Sequence, residues 1–250
     1  TSDRAGIAAR VGHPGEPPGR PRRIVRMIAR RTLVAAALLA ALATLTGCSP
    51  LAAPSAGPGV PEGDGPLVAF YGDSYTLGTG ASDPSLRWST QIAESRGWRE
   101  VNPSVNGLGF VNNRGTYGEG DLPDQIIAVQ PDIVFVTMGL NDNFSYARAA
   151  DEIEAQIAID LRRLREGLPD ARIIVVEPFW YTAEQPESLG IIAGWVEREA
   201  ERIGADHIAG ASDWIAGRPG EMAADGLHPN DEGYALMTRL MDEALVELGL

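Results

Sequence analysis

Apolar and polar positions along the chain follow two regimes that meet near residue 66. Beyond that point, apolar runs alternate with amphipathic stretches. Leu67–Tyr71, Asp132–Met138 and Arg172–Glu177 are apolar at nearly every position, which predicts strands buried on both faces. Shorter strands are predicted over Glu100–Ser104 and, at an edge, His207–Ala209. Helical spacing predicts helices over Arg87–Gly97 (with Trp88, Ile92 and Ala93 on one side), Asp124–Val129, Ala149–Gly167 and Leu189–Ile203. The last predicted helix, Asn230–Leu248, starts at Pro229-Asn230 and carries Tyr234, Met237, Leu240, Met241 and Leu245 at helical spacing. Strands alternating with helices imply an α/β fold with a central, mostly parallel sheet in a three-layer α/β/α arrangement, spanning residues 66–250 as one domain. In such folds ligand sites collect at the carboxyl ends of the strands. The loops leaving those ends are Gly72–Thr76, Val105–Asn113, Gly139–Asn143 and Pro178–Thr182, and a fifth loop, Ala224–Asn230, precedes the last helix.

The first regime reads differently. Residues 1–26 are rich in Arg, Gly and Pro without apolar periodicity, and are expected to be a disordered leader or an over-extended start, with Met27 as the true first residue. Residues 27–47 run from a basic stretch (Arg30, Arg31) through the uncharged apolar segment Thr32–Thr44 to Leu45-Thr46-Gly47 and then Cys48. The apolar segment is shorter than the roughly 17–25 residues of a transmembrane helix. The order basic, apolar, small residue is that of an export signal. This stretch resembles a bacterial lipoprotein signal peptide, and the resemblance implies cleavage before Cys48 and a lipid on that cysteine. Residues 48–65 mix Pro, Gly, Ala and Ser, a flexible-linker composition that tethers the domain to the lipid. The expected location is the outer face of the cell membrane, or the medium if the anchor is lost.

Charge sharpens this division. All 21 basic residues are Arg, against 34 Asp and Glu, for a net charge of −13. Eight Arg precede residue 48, which leaves 13 Arg against 32 acidic residues in the remainder. So acidic a body is poorly matched to nucleic acid, whose phosphates call for Lys and Arg. The lone cysteine excludes an internal disulfide, and no Cys/His cluster has zinc spacing, so neither a metal nor another cofactor is expected.

The candidate chemistry lies in the five loops. Gly72-Asp73-Ser74 ends the first strand in a tight turn, with Asp73 and Ser74 suited to start a helical turn. That placement presents a hydroxyl beside free backbone N–H groups, although by itself such a tripeptide is an ordinary strand end. Only His207 and His228 follow residue 48. His207 has no partner motif. His228 lies in Asp225-Gly226-Leu227-His228-Pro229, where a curled loop lets the Asp225 carboxylate accept from Nδ1–H and leave Nε2 free as a base. Taken alone, the more ordinary role for these two is a capped turn packed on the last helix. Gly139-Leu140-Asn141-Asp142 places an amide after the strongest buried strand. Gly107 can expose a backbone N–H after the second strand, with Asn106 and Gly109 as close neighbours. Phe144, Trp180 and Tyr181 lie past strand ends and suit either the wall of an acyl or sugar pocket or ordinary core packing. No G-x-S-x-G, P-loop or G-x-G-x-x-G is present.

Together and in order, Gly72-Asp73-Ser74, Gly107, Gly139-Leu140-Asn141-Asp142 and Asp225-Gly226-Leu227-His228-Pro229 resemble the SGNH (GDSL-type) hydrolase family, esterase- and lipase-like enzymes, over about residues 66–250. The resemblance implies Ser74 as nucleophile and His228 as its base, oriented by Asp225. It also implies an oxyanion hole of the Ser74 N–H, the Gly107 N–H and the Asn141 side chain. The activity it implies is hydrolysis of carboxylic esters, such as short acyl or acetyl esters of sugars, lipids or cell-envelope components. The alternatives are acyl transfer to a sugar hydroxyl by the same residues, and a non-catalytic surface lipoprotein that binds glycans or partners.

Overall fold

The computed structural model describes residues 59–116 and 121–250. The leader, the signal-peptide pattern, Cys48 and residues 48–58 of the linker lie outside the described residues. Five strands build the sheet: β1 Leu67–Gly72, β2 Arg99–Val101, β3 Ile133–Thr137, β4 Arg172–Val176 and β5 Asp206–Ile208. Their order is β2-β1-β3-β4-β5, and every pairing is parallel. The helices are α1 Ser74–Leu77, α2 Trp88–Ser95, α3 Leu122–Val129, α4 Tyr146–Gly167, α5 Glu187–Arg202 and α6 Asp231–Glu247.

The predicted α/β fold is thus observed, and the physical reason is the two-sided burial of the central strands. Along β1, Leu67, Ala69 and Tyr71 join one core cluster, while Val68 and Phe70 join the other. The first cluster takes Ile126 from α3, Ile153, Ile157, Leu161 and Leu164 from α4, and Val196 from α5. The second takes Trp88 and Ile92 from α2 and Tyr234, Met237, Met241 and Leu245 from α6. Aromatic packing fills the second cluster: the Phe70 ring stacks on Phe135 at 5.1 Å and meets Trp88 edge-on at 5.3 Å. Each such side chain contributes roughly 1.5–3 kcal/mol by leaving water.

Boundaries move by one to three residues from those predicted, and each larger shift has a local cause. The second strand stops at Val101 rather than Ser104. Asn102 turns its side-chain oxygen onto the Ser104 N–H (3.2 Å), and Pro103 has no N–H for a ladder. Helix α4 begins at Tyr146 instead of Ala149, because its first turn is joined across a break at Ala149 (φ −140°, ψ 24°). Helix α6 starts where expected: Asn230 caps it by accepting the Gly233 N–H at 2.9 Å.

Strand order reverses between β1 and β3, so the crevice at their carboxyl ends is where such a sheet offers a site. In register, Gly72 lies opposite Thr137. The residues just past these two, Ser74 and Asn141, flank that crevice. Among the described residues no helix is long and apolar enough to cross a membrane.

Candidate active site

Gly72 is required where β1 gives way to the serine turn. A Cβ there would lie 2.5 Å from the Thr76 Cβ and 2.6 Å from the Thr137 Oγ1. The two threonine hydroxyls share a hydrogen bond of 2.6 Å across this gap. Asp73 caps α1, accepting the Tyr75 N–H at 3.0 Å. Ser74 is therefore the first helical residue, where an N–H has no intrahelical partner. No hydrogen bond among the described residues uses the Ser74 N–H or the Gly107 N–H. The Gly109 N–H, by contrast, is spent on Asn112 O (2.9 Å), so Gly107 is the better placed donor of the two. Gly107 sits at φ +70°, a conformation that favours glycine, and its carbonyl accepts from the side-chain amides of Asn112 and Asn113.

Two buried acids lock these loops together. Asp73 is 1% exposed and its second oxygen accepts from Asn141 Nδ2 at 3.0 Å. Burial pushes the Asp73 carboxyl up to about 7, against the pull of the Tyr75 N–H. Asp142 follows Asn141 in a short 3-10 helix, Asn141–Phe144. It accepts the N–H groups of Phe110 (2.7 Å), Val111 (2.8 Å) and Asn112 (3.1 Å), pinning the loop that carries Gly107. Burial raises its pKa, while these three bonds pull the other way. Gly109 leaves room for that carboxylate, since a Cβ there would come within 2.5 Å of it. Sequence reasoning passed over Asp142 and gave Asp73 only a capping role. The adjacent Asn141-Asp142 pair was the available signal for the first.

Asn141 departs from expectation. Its Nδ2 donates to Asp73 and also to Leu108 O at 2.9 Å, so both of its N–H bonds are engaged. An oxyanion reaches this amide only by taking the place of one of those acceptors.

The histidine loop is built locally. Asp225 Oδ1 accepts the N–H groups of Leu227 (2.9 Å) and His228 (3.0 Å), which curls the chain. Asp225 Oδ2 then meets His228 Nδ1 at 2.7 Å. The His228 ring, followed by the two backbone N–H bonds, holds Asp225 down to about 2. An ionised carboxylate only accepts, so Nδ1 carries the proton and Nε2 is left as the acceptor. Residues 221–223 brace the loop: Ala223 N–H donates to His228 O (2.8 Å), and Met222 pairs with Pro229.

Three contacts tie this loop to the serine turn. The Tyr75 hydroxyl donates to Leu227 O at 2.6 Å, and the Tyr234 hydroxyl donates to Thr79 O at 2.8 Å. Ser82 donates through its N–H and hydroxyl to Asp231. Ser74 and His228 are thereby carried on two segments clamped to each other. His207 stands apart on β5.

The aromatic candidates separate. Phe144 is 53% exposed, with its ring 6.4 Å from that of Trp180. Trp180 is 4% exposed, and its Nε1 donates to Thr182 Oγ1 and Glu184 O. It packs in the core, the second of the two roles the sequence left open for it, and has little surface to offer a substrate. Tyr181 packs on Trp180 at 4.7 Å and lines a cavity of about 350 Å³ beside the histidine loop. Among the described residues no group of three His, Cys, Asp or Glu is placed to hold a metal ion.

Comparison with known proteins places the chain by family and by fold. Residues 70–236 match the family model described as the GDSL-like lipase/acylhydrolase family. A GDSL lipase of Mycobacterium tuberculosis is 29% identical over 196 residues, covering 71% of this chain and 84% of that protein. Among solved structures, one named TesA matches with a TM-score of 0.60 at 18% identity, covering 72% of this chain and 97% of that one. An acetylxylan esterase from Geobacillus stearothermophilus, Axe2, matches with a TM-score of 0.56 at 19% identity, covering 73% and 94%. At these identities the solved structures speak for the fold.

Proposed function

The chain belongs to the GDSL-like lipase/acylhydrolase family and is an SGNH serine hydrolase acting on ester bonds; from that premise we propose that it works through an acyl-enzyme on Ser74. In this reading His228 Nε2 takes the Ser74 proton as Oγ attacks the ester carbonyl carbon. The carbonyl oxygen gains negative charge beside the N–H groups of Ser74 and Gly107, joined by Asn141 once its amide gives up an internal acceptor. Each such donor is typically worth roughly 100- to 1,000-fold in kcat. As the ester C–O bond breaks, His228 passes its proton to the leaving oxygen. Water then attacks the acyl carbon while giving a proton to the same nitrogen, the acyl–Oγ bond breaks to release the acid, and His228 returns that proton to Ser74 Oγ. Asp225 keeps Nδ1 protonated throughout and stabilises the imidazolium.

The observation that carries this reading is the 2.7 Å Asp225–His228 contact on a loop clamped by Tyr75 and Tyr234 to the turn bearing Ser74. The substrates proposed are short acyl or acetyl esters of sugars, lipids or cell-envelope components. Support for the sugar esters comes from the fold neighbours, which include an acetylxylan esterase and an esterase active on acetylated mannans. Ser74→Ala and His228→Ala, each with an unchanged far-UV spectrum, are expected to lower p-nitrophenyl acetate hydrolysis by about 10⁴-fold or more. A fluorophosphonate should label Ser74 in the wild type. Turnover that survives in either variant would remove the proposal. We propose further that the protein is exported and held at the membrane by a lipid on Cys48. Mass spectrometry of the mature protein tests this, and a chain lacking a diacylglycerol-modified Cys48 would end it.

A further inference from the structure

Thirteen arginines follow residue 48, and all lie among the described residues. Nine form ion pairs, among them Arg87 with Glu100, Arg96 with Asp242 and Arg172 with Asp206. Arg99, Arg148 and Arg165 donate to backbone carbonyls. The exposed guanidinium of Arg218 has no acceptor among the described residues. In a body with 32 acidic residues after residue 48, this is an exception. Glu221 and Asp225 are close in sequence, yet neither forms an ion pair with it.

Its position gives the exception a use. Arg218 lines the cavity of about 350 Å³, together with Tyr181, Gly217, Met222, Ala223 and Gly226. The Gly217 N–H donates to Tyr181 O (3.2 Å), which closes one side. Ala223 and Met222 form the other side, and they are the residues that brace His228 and Pro229. The cavity wall is thus shared with the histidine loop and the residues that brace it. No carboxylate lines it, and apart from Arg218 its lining is small or apolar with the single hydroxyls of Tyr181 and Thr182. The volume is at the lower end of the range for small-molecule sites.

The chemistry fixes which half of a substrate reaches this place. The carbonyl oxygen turns toward the Ser74 and Gly107 N–H groups. The leaving oxygen must meet His228, which returns the proton to it. The alcohol portion of the ester therefore lies against the histidine loop. We propose that Arg218 is a specificity-determining residue that binds a carboxylate on the alcohol portion of the ester, so that the preferred substrates are acyl esters of acidic alcohols such as acidic sugars. This rests on the serine-hydrolase reading and deepens it. A planar guanidinium with no competing internal partner is suited to bidentate capture of a carboxylate.

The test compares 4-acetoxybenzoate with 4-acetoxybenzamide, esters of the same shape whose leaving alcohols differ by one negative charge. In both, the acetyl group passes to Ser74 Oγ, the bond from the acetyl carbon to the phenol oxygen breaks, and that oxygen takes the proton from His228. The measured quantity is the ratio of kcat/KM for the acid to that for the amide, using the full chain. We expect Arg218→Gln to lower this ratio about tenfold at low salt. Arg218→Lys should restore part of it, and added salt should lower the wild-type ratio toward that of Arg218→Gln. Because the ratio is internal, a partly unfolded variant lowers both rates alike and leaves it unchanged. A ratio equal in wild type and Arg218→Gln, with the amide still hydrolysed, would overturn the role of Arg218 alone. A wild-type protein that hydrolyses neither ester would overturn the esterase reading and this inference with it.

Discussion

Asp73 and Asp225 each stand next to a residue of the proposed chemistry, Ser74 and His228, and the fold treats them in opposite ways. Asp73 is 1% exposed, and burial pushes its carboxyl up to about 7. The Asp225 side chain is 50% exposed, and its bonds to His228 and two backbone N–H groups hold it down to about 2. The first is part of a buried lattice in which Asp73, Asn141 and Asp142 join three loops. The second belongs to a turn that closes on itself within four residues. The proposed nucleophile and oxyanion donors are thus positioned by tertiary burial, and the proposed base by local hydrogen bonding. Damage on the buried side should show in stability as well as rate, and damage on the exposed side chiefly in rate.

The largest effect should come from Asp225→Asn. The new amide can still accept the Leu227 and His228 N–H groups, so the turn survives. Toward the ring it can present N–H, which favours the tautomer with the proton on Nε2 and removes the base. The expected outcome is a fall in kcat of about 10⁴-fold on p-nitrophenyl acetate, with a stability loss of at most about 1 kcal/mol, because solvent screens the half-exposed pair. A large loss of stability would place this loop with the buried side and end the contrast.

Asp142→Ala probes the other region. It leaves the N–H groups of Phe110, Val111 and Asn112 without their acceptor. A loss of about 3 kcal/mol or more is expected in urea unfolding, from about 1–3 kcal/mol per unsatisfied buried group. Activity per folded molecule should fall about 100-fold as the Gly107 loop loses its anchor. A variant with full stability and reduced rate would show that this loop, too, is held locally.

Protonation separates the two acids a third way. The folded pKa of Asp73 lies above its unfolded value near 3.9, so between about pH 4 and 7 the native state holds the extra proton. Stability from this group is complete below about pH 4 and is lost as pH rises through about 7. For Asp225 the sign reverses: its contribution is present above about pH 4 and is lost as pH falls toward 2. Melting temperatures of wild type and Asp73→Asn across pH 4–8 isolate the first effect. The wild type should lose stability relative to the variant on the order of 4 kcal/mol over that window. Parallel curves would contradict the buried, high-pKa assignment.

The parts legible in the sequence follow from the same contrast. β1, β3 and β4 announced themselves because nearly all their residues are buried and apolar. The Asp225–His228 pair could be read because its bonds span three residues. Ser74, Gly107 and Asn141 could be grouped through the order of their motifs, not from any physical signal of proximity. The engagement of Asn141 was not legible, because Leu108 and Asp73 lie 33 and 68 positions away. Trp180 was ambiguous for a similar reason: an aromatic residue past a strand end looks the same whether it faces a pocket or the core. Arg218 had no signal at all, since its interest lies in the partners it lacks.

The smallest effect expected is at the seam between the two regions. Tyr75 is fully buried, yet its hydroxyl reaches the exposed loop at Leu227 O. Its ring also stacks on Phe179 at 5.8 Å and stands 6.1 Å from the His228 ring. Tyr75→Phe keeps the ring and deletes one hydrogen bond, for a stability cost of about 1 kcal/mol. If that bond sets where the histidine loop sits over Ser74, kcat should fall several-fold, because small misplacements of a base are costly in rate. KM for a small neutral ester should hardly change, since substrate contacts are intact. A fall in stability with kcat preserved would show that the local turn around Asp225 suffices to aim His228, and that the clamp between the two regions serves the fold and not the chemistry.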